Sequence, residues 1–298
     1  MNKLINGGLF AAITLIWGSS FILMKEGLVE LSPYQVAALR ILSAGIVLLP
    51  IAIKQIARFP KSTIGLIVLS GTLGNFIPAF LFCVAETRID SSLTGILNAL
   101  TPLFVVAIGI LFFKQPFQLQ KIIGVVIGFL GLCILFTSKD GFKVDENMAY
   151  GIFVVMATIL YGVNPNLIRT YLKEVGVLNL AAIAFGILAI PSAYILYTTG
   201  YFHAMTTANA GFIRASFATV ILGVFGTAVA QILFLTLLKR TNPIYSALPT
   251  YFMPFVAILW GVWYGETIKI QHLLCLGIIL LGVYVTNKKW GHPKTPPQ

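Results

Sequence analysis

Apolar stretches of about 20 residues recur along nearly the whole chain, and short polar connectors separate them. An α-helix needs about 20 apolar residues to cross the hydrocarbon core of a bilayer, which is roughly 30 Å thick. The pattern therefore predicts an all-α membrane protein with about ten transmembrane helices. The predicted spans are 5–26, 34–54, 63–85, 91–113, 119–137, 148–169, 178–198, 212–237, 243–264 and 270–287.

The spans form two sets of five that share landmarks. A shift of 144 residues places Trp17 on Tyr161, Gly18 on Gly162 and Lys25 on Arg169. A later shift of 152 residues pairs Gly74 with Gly226, Phe82 with Phe234, Arg88 with Arg240 and Pro102 with Pro254. Because each set crosses the membrane an odd number of times, the second set inserts upside down relative to the first. The sequence predicts a five-helix repeat at 5–137, an inverted second repeat at 148–287 and a cytoplasmic tail at 288–298.

The composition is typical of a membrane protein and limits the kinds of partner that we expect. The chain of 298 residues is 58% hydrophobic and 10% charged, and its mean hydropathy is +0.93. The net charge of +11 comes from basic residues scattered over short connectors, so no nucleic-acid partner is expected. The three cysteines show no CxxC spacing, and no metal or cofactor is predicted. The expected partners are the lipid bilayer and a small-molecule substrate, and the expected state is a monomer or a weak homodimer.

The distribution of basic residues predicts the orientation. If the amino terminus is cytoplasmic, the cytoplasmic ends hold 13 basic residues: Lys3, Lys54, Arg58, Lys61, Lys114, Lys121, Arg169, Lys173, Lys239, Arg240, Lys288, Lys289 and Lys294. The opposite ends hold six: Lys25, Arg88, Lys139, Lys143, Arg214 and Lys269. The positive-inside rule then predicts that both termini are cytoplasmic. The expected location is a cell membrane, specifically a bacterial inner membrane.

Four short motifs resemble those of a known family. They are Ile-Trp-Gly-Ser-Ser-Phe at 16–21, Leu-Arg at 39–40, Leu-Thr-Pro-Leu at 100–103 and Gly-Glu-Thr at 265–267. Over residues 5–287 the chain resembles the drug/metabolite transporter superfamily, and more narrowly its ten-helix branch built from two EamA-type domains. One departure is that family members commonly carry Gly-Glu after the fourth and ninth spans, whereas Phe113 and Lys114 follow the fourth span here, matched with Gly265 and Glu266.

The resemblance implies a basket of ten helices that exports or exchanges small organic solutes. It also implies a central cavity lined mainly by the first, third, fourth, sixth, eighth and ninth spans, with the fifth and tenth spans bracing the outside.

Polar side chains inside the spans are the candidate binding residues. An unpaired polar group in hydrocarbon costs several kcal/mol, so such residues are expected to face a wet cavity or another helix. Within each repeat, an aromatic and a small polar residue lie three positions apart and share a helical face. The alternative is that these groups only join helices through hydrogen bonds. The predicted substrate-binding residues are Trp17, Ser20, Asn75, Asn98, Tyr161, Asn164, Gln231, Thr250 and Tyr251.

Prolines and one arginine complete the candidate list. A proline inside a helix removes a backbone donor and strains the preceding turn, so Pro78, Pro102, Pro249 and Pro254 are predicted to kink and gate the spans. Arg40 is the one basic residue well inside a predicted span. The prediction favours a structural ion pair with Glu86, with Asp90 or Glu30 as other partners, over contact with substrate.

These features favour a secondary transporter over other membrane proteins. No acidic residue lies near the middle of a predicted span, so the sequence shows no sign of a proton-carrying carboxylate there. The predicted binding residues are neutral, and many carry an aromatic ring or an amide. Such residues fit amino acids and related zwitterionic or neutral solutes. The main alternative is a multidrug exporter of hydrophobic cations, which aromatic rings also bind. A membrane enzyme would need clustered acids, histidines or an HExxH motif, which the sequence lacks, and a structural or regulatory subunit is the third alternative.

Overall fold

The computed structural model describes residues 2–115, 119–135 and 146–287, and all regular structure in these ranges is helical. The helices are α1 (Asn2–Gly27), α2 (Pro33–Ile56), α3 (Lys61–Gly71), α4 (Ile77–Glu86), α5 (Ser91–Asn98), α6 (Thr101–Phe112), α7 (Leu119–Leu135), α8 (Glu146–Ala149), α9 (Gly151–Tyr171), α10 (Val177–Thr198), α11 (Tyr201–Thr206), α12 (Ala210–Ile221), α13 (Ala230–Arg240), α14 (Pro243–Ala247), α15 (Met253–Trp263) and α16 (Ile270–Asn287). The predicted tail at 288–298 and the predicted end of the fifth span at 136–137 lie outside the described residues.

Several of these helices combine into single spans. In the third span, the π-helical segment Thr72–Phe76 joins α3 to α4, and in the eighth span the π-helical segment Leu222–Val229 joins α12 to α13. The fourth span consists of α5 and α6, and the ninth of α14, the 3₁₀ turn Leu248–Tyr251 and α15. Eight helical stretches of the described chain are long and apolar enough to cross a membrane, and two shorter apolar helices, Ile122–Gly131 and Ile270–Gly282, accompany them. The predicted fold of about ten membrane helices is confirmed.

Local sequence signals explain where individual helices begin. The Ser32 hydroxyl accepts a 3.2 Å hydrogen bond from the Gln35 N–H, and the Gln35 side chain accepts a 2.9 Å bond from the Ser32 N–H. This reciprocal capping box, followed by a proline in the first turn, satisfies donors that an α-helix leaves free at its start. Asn209 caps α12 in a related way, since its Oδ1 accepts a 2.7 Å bond from the Phe212 N–H.

Glycines allow the central helices to approach closely. Helix α1 packs against α15, and α9 packs against α6. A Cβ atom at Gly18 would lie 2.5 Å from the Val256 Cβ, and one at Gly162 would lie 2.8 Å from the Phe104 carbonyl carbon. Small residues at such crossings let membrane helices gain dispersion contacts that larger side chains prevent.

Ring contacts recur between the two halves of the chain. The Trp17 and Phe234 rings lie 5.4 Å apart, and the Tyr161 and Phe82 rings lie 5.8 Å apart. The shifts of 144 and 152 residues convert one pair into the other. The glycine contacts of Gly18 with Val256 and Gly162 with Phe104 are related by the same two shifts.

Basic residues at the helix ends make matching contacts too. The Lys25 ammonium donates to the carbonyls of Glu86 and Ile89 at 3.3 and 3.4 Å, and the Arg169 guanidinium donates to the Thr241 carbonyl at 2.7 Å. Thr241 lies 152 residues after Ile89, as Arg169 lies 144 after Lys25. The two ends of the bundle are called the Lys25 end and the Arg169 end below.

The backbone corrects the predicted match between Lys114 and Glu266. Lys114 has a φ of 52° and Gly265 a φ of 82°, so these two residues occupy the same left-handed turn position. The next residue of each turn bonds back to a glycine carbonyl, Gln115 to Gly109 at 3.0 Å and Glu266 to Gly261 at 2.8 Å. The counterpart of Glu266 is therefore Gln115, and the prediction was wrong by one residue because the first half has an extra residue before its turn.

Candidate functional site: a central cavity

A cavity lies in the middle of the bundle. Its walls come from the first, second, third, fourth, sixth, eighth and ninth spans, whereas α7 and α16 pack against each other away from it. The second span contributes Arg40, an addition to the set of spans that the family resemblance implied. The lining residues are Trp17, Ser20, Phe21, Met24, Arg40, Gly74, Asn75, Phe82, Asn98, Thr101, Tyr161, Asn164, Pro165, Gln231, Phe234, Ala247, Thr250 and Met253.

The structure brings most of the predicted binding residues together. Those that line the cavity are Trp17, Ser20, Asn75, Asn98, Tyr161, Asn164, Gln231 and Thr250. Tyr251 is buried and does not line it. Both Thr250 and Tyr251 belong to the 3₁₀ turn, in which successive side chains point about 120° apart, so the turn can present only one of them to the cavity.

Interruptions in the helices shape this cavity. The third span presents Asn75 from its π-helical segment, where the widened turn changes the direction of the side chains. In the fourth span α5 ends at Asn98 and α6 begins at Thr101, and the Thr101 hydroxyl donates a 2.8 Å hydrogen bond to the Asn98 carbonyl. The four predicted kink prolines lie at these interruptions: Pro102 and Pro254 in the first turns of α6 and α15, Pro249 in the 3₁₀ turn, and Pro78 in the first turn of α4.

Arg40 is half-buried in the cavity wall, and its partner differs from the predicted one. Its Nε donates a 2.6 Å hydrogen bond to the Thr227 hydroxyl on the π-helical segment of the eighth span. The ion pairs within the described part of the chain join Lys173 to Glu174 and Arg214 to Glu26. The predicted Arg40–Glu86 ion pair is therefore not formed. The guanidinium extends toward the middle of the bundle, where a threonine supplies the acceptor, and does not reach the Glu86 carboxyl group.

Several polar groups of the lining already have partners within the protein. The Trp17 indole N–H donates to the Gly226 carbonyl at 3.1 Å, the Ser20 hydroxyl to the Ile16 carbonyl at 2.8 Å, and the Thr250 hydroxyl to the Ala247 carbonyl at 2.7 Å. The Asn164 Oδ1 accepts a 2.6 Å bond from the Ser70 hydroxyl. The bonds of Trp17 and Asn164 join neighbouring spans, whereas those of Ser20 and Thr250 stay within one span.

Other polar groups of the lining remain available to a solute. Four such groups have no hydrogen-bond partner among the described residues: the Asn75 and Gln231 side-chain amides, the Tyr161 hydroxyl and the terminal nitrogens of Arg40. The cavity therefore offers one cation, two amides and one hydroxyl beside the rings of Trp17, Phe82 and Phe234. This set can bind a solute that carries an anionic group and an apolar portion.

Reasoning from polarity missed the apolar part of the lining. Phe21, Met24 and Met253 look like ordinary core residues in the sequence. Phe82 and Phe234 did carry a signal, since the shift of 152 residues pairs them, but their apolar character kept them off the list of candidates.

A carboxylate clamp joins the two halves at the Lys25 end. The Glu266 Oε1 accepts bonds from the Ser91 N–H at 2.9 Å and the Ser91 hydroxyl at 2.6 Å. Its Oε2 accepts from the Ser92 N–H at 3.0 Å and from the Ser92 hydroxyl. All four donors lie in the first turn of α5, where a helix has free N–H groups and favours a negative charge.

The electrostatics of this clamp favour the ionised acid. Burial raises the pKa of Glu266, but the hydrogen bonds from Ser91 and Ser92 outweigh that effect and hold the pKa below its ordinary value of 4.5. At the Arg169 end the counterpart Gln115 donates instead to the Asn166 Oδ1 at 2.8 Å, and Asn242 caps α14 through the Tyr245 N–H at 2.9 Å. A neutral amide therefore replaces the carboxylate at that end.

A bundle of membrane helices around a central, partly polar cavity is the arrangement of many secondary transporters. The chain belongs to the EamA-like transporter family, whose sequence model matches residues 6–137 and again residues 148–288. The protein is thus a multi-pass membrane transporter of the drug/metabolite superfamily.

Known proteins with similar sequences span nearly the same length. The uncharacterized inner membrane transporter YedA of Escherichia coli K12 is 26% identical, with 97% of this chain and 93% of that protein aligned. An uncharacterized transporter of Archaeoglobus fulgidus is 22% identical over 94% of this chain and 97% of its own length. Protein PagO of Salmonella typhimurium is 22% identical over 96% of this chain and 94% of its own. One solved crystal structure, at 15% identity, shares the fold with a TM-score of 0.62 over 94% of this chain and 95% of that chain.

Proposed function

We propose that this transporter moves small solutes that carry a carboxylate, above all amino acids and related zwitterionic metabolites, and that it exports or exchanges them through the central cavity. The observation that carries the proposal is the position of Arg40 in the cavity wall. A guanidinium is a planar fork that matches the two oxygens of a carboxylate. Thr227 holds the Nε of this fork, which leaves the terminal nitrogens for a solute.

The rest of the lining suits the other parts of such a solute. The amides of Asn75 and Gln231 and the Tyr161 hydroxyl can each donate or accept, so they can bind an ammonium or an amide group. The rings of Trp17 and Phe234 form an apolar wall for a side chain. A multidrug exporter of hydrophobic cations fits less well, because the described lining holds a positive guanidinium and no carboxylate.

Alternating access is supported by the way contacts recur between the halves. If the two five-helix repeats are inverted, as their odd number of crossings implies, the matched contacts at the Lys25 and Arg169 ends lie on opposite sides of the membrane. The bundle can then close at one end and open at the other with contacts of the same kind at both ends. The prolines at the interruptions of the fourth and ninth spans are the proposed bending points. The distribution of basic residues and the inner membrane location named for YedA favour a cell membrane with both termini cytoplasmic.

A transport assay with the purified chain in lipid vesicles tests this proposal. Uptake of labelled amino acids is compared with uptake of a lipophilic cation, tetraphenylphosphonium, for the wild type, Arg40→Gln and the control Arg58→Gln. Arg58 is exposed at the end of α2, away from the cavity. Amino acid transport that Arg40→Gln abolishes and Arg58→Gln retains is the expected result. Transport of the cation without transport of any amino acid would overturn the proposed solute class.

A further inference from the structure

Glu86 is a buried acid that the cavity lining does not include. It is the last residue of α4 at the Lys25 end, and its exposed fraction is 1%. Neither of its carboxyl oxygens has a hydrogen-bond partner among the described residues. The nearby Lys25 ammonium donates instead to the Glu86 backbone carbonyl and to the Ile89 carbonyl.

The ionisable groups that act on Glu86 come from α1, α2, the loop after α15 and α4 itself. Lys25 approaches from α1, Arg40 from α2, Glu266 from the loop after α15, and the Cys83 thiol lies one turn earlier on α4. None of the ion pairs of the described residues includes Glu86. A carboxylate at this position would be a buried charge without a hydrogen bond, whereas the neutral acid avoids most of that cost.

We propose that Glu86 is a proton-binding site, and that a proton at Glu86 and a solute carboxylate at Arg40 bind together. The coupling part of this inference rests on the proposed function, since it needs a carboxylate at Arg40. When the Glu86 O–H bond breaks, the proton leaves to water and a negative charge stays on the Glu86 carboxylate. That charge weakens the positive electrostatic potential that Arg40 creates in the cavity. When Glu86 holds its proton, Arg40 keeps its full attraction for an anionic group.

The direction of the linkage follows from these charges. A solute carboxylate adds negative charge near Glu86 and so favours the protonated acid, and by reciprocity a proton at Glu86 strengthens binding of the solute. Solute addition should therefore take up protons in the pH range where Glu86 of the free protein is partly ionised, and affinity should fall as the pH rises through that range. Buried carboxyl groups within membrane proteins commonly serve such proton-carrying roles.

Infrared spectroscopy tests the proton site without any solute. At neutral pH the wild type should show the carbonyl band of a protonated carboxylic acid, and Glu86→Gln should lack it. Glu266→Gln is the matched control, because the Glu266 carboxyl is held ionised by four hydrogen-bond donors and its removal should leave the band in place. Absence of the band from the wild type, or its persistence in Glu86→Gln, would overturn the site.

Proton uptake on addition of L-tryptophan tests the coupling. The assay uses a weakly buffered detergent solution with a pH indicator, at the pH where the infrared acid band of the solute-free wild type has fallen to half its intensity. There the wild type should take up protons on binding tryptophan, and Glu86→Gln should bind tryptophan without uptake. Binding by the wild type without uptake, or unchanged uptake in Glu86→Gln, overturns the coupling. If the wild type binds neither tryptophan nor any other amino acid, the proposed solute class fails and the coupling fails with it, while the infrared result still decides whether Glu86 holds a proton.

Discussion

Arg40 on the second span and Thr227 on the eighth span are joined by a hydrogen bond of 2.6 Å from the guanidinium Nε to the threonine hydroxyl. The two residues lie 187 positions apart in the chain. The bond fixes the direction of the one guanidinium among the cavity-lining residues, and it connects the two halves of the protein.

Loss of this hydrogen bond should weaken solute binding. Thr227→Val keeps the shape of the side chain but removes the acceptor, and a hydrogen bond to a charged group contributes about 1.5–3 kcal/mol. We expect affinity for a carboxylate-bearing solute to fall by roughly tenfold or more, as measured by binding titration. Thr227→Ser, which keeps the hydroxyl, should restore most of the affinity. Equal affinity in all three proteins would show that Thr227 does not position Arg40.

The Glu266 clamp predicts a pH-dependent contribution to stability. Because the pKa of Glu266 is held below its ordinary value of 4.5 in the folded protein, the stabilisation is complete above that value and is lost as the pH falls through the lower folded-state pKa. Glu266→Gln should lose about 1–3 kcal/mol near neutral pH, since the amide replaces an ionised acceptor. Thermal unfolding of both proteins over a range of pH measures this difference. It should shrink in acid, and a difference that stays constant with pH would contradict the assignment.

Close packing at Gly18 predicts a cost for a single added methyl group. An alanine Cβ there would lie 2.5 Å from the Val256 Cβ, and overpacking of this kind costs about 1–3 kcal/mol. Gly65 provides the control, since no atom lies within 4 Å of an added Cβ and alanine is favoured over glycine in a helix by about 0.5–1 kcal/mol. Melting temperatures in detergent should fall for Gly18→Ala and should not fall for Gly65→Ala. A fall of equal size in both would refute the close contact.

Trp17 and Tyr161 occupy matching positions in the two halves, but we expect different effects when each is changed to phenylalanine. Trp17→Phe removes the donor to the Gly226 carbonyl, and loss of such a bond costs about 0.5–1.5 kcal/mol of stability. Tyr161→Phe removes a hydroxyl that has no hydrogen bond within the described residues, so stability should change little while solute affinity falls. Unfolding and binding measurements on both variants separate these effects. If Tyr161→Phe lowered stability and left binding intact, the hydroxyl would not contact the solute.

Lys114 adopts a backbone conformation that glycine accepts more readily. Its φ of 52° matches the turn in which the second half has Gly265. Lys114→Gly should therefore raise stability or leave it unchanged, with a gain of up to about 1 kcal/mol. Lys54→Gly in the last turn of α2 is the control, and it should lower stability by up to about 1 kcal/mol. Equal losses in both variants would rule out strain at Lys114.

Local composition was enough to predict much of this protein. Runs of apolar residues predict membrane helices because each residue's transfer into lipid depends on its own side chain, and the helical fold confirms that prediction. Polar residues inside those runs were also informative, since an unpaired polar group in lipid is costly. This reasoning placed Asn75, Asn98, Asn164 and Gln231 on one list, and the structure places all four around one cavity.

The remaining features depended on how distant segments meet. Arg40 bonds to Thr227 and not to Glu86, and Glu86 is buried although it lies at the end of a span. The 3₁₀ turn separates Thr250 from Tyr251, and one extra residue shifts the match of Glu266 from Lys114 to Gln115. A prediction from periodicity assumes regular helices and uses only residues that are close together in the sequence. The choice of partners depends on π-helical and 3₁₀ turns and on contacts between residues far apart in sequence, which only the tertiary structure decides.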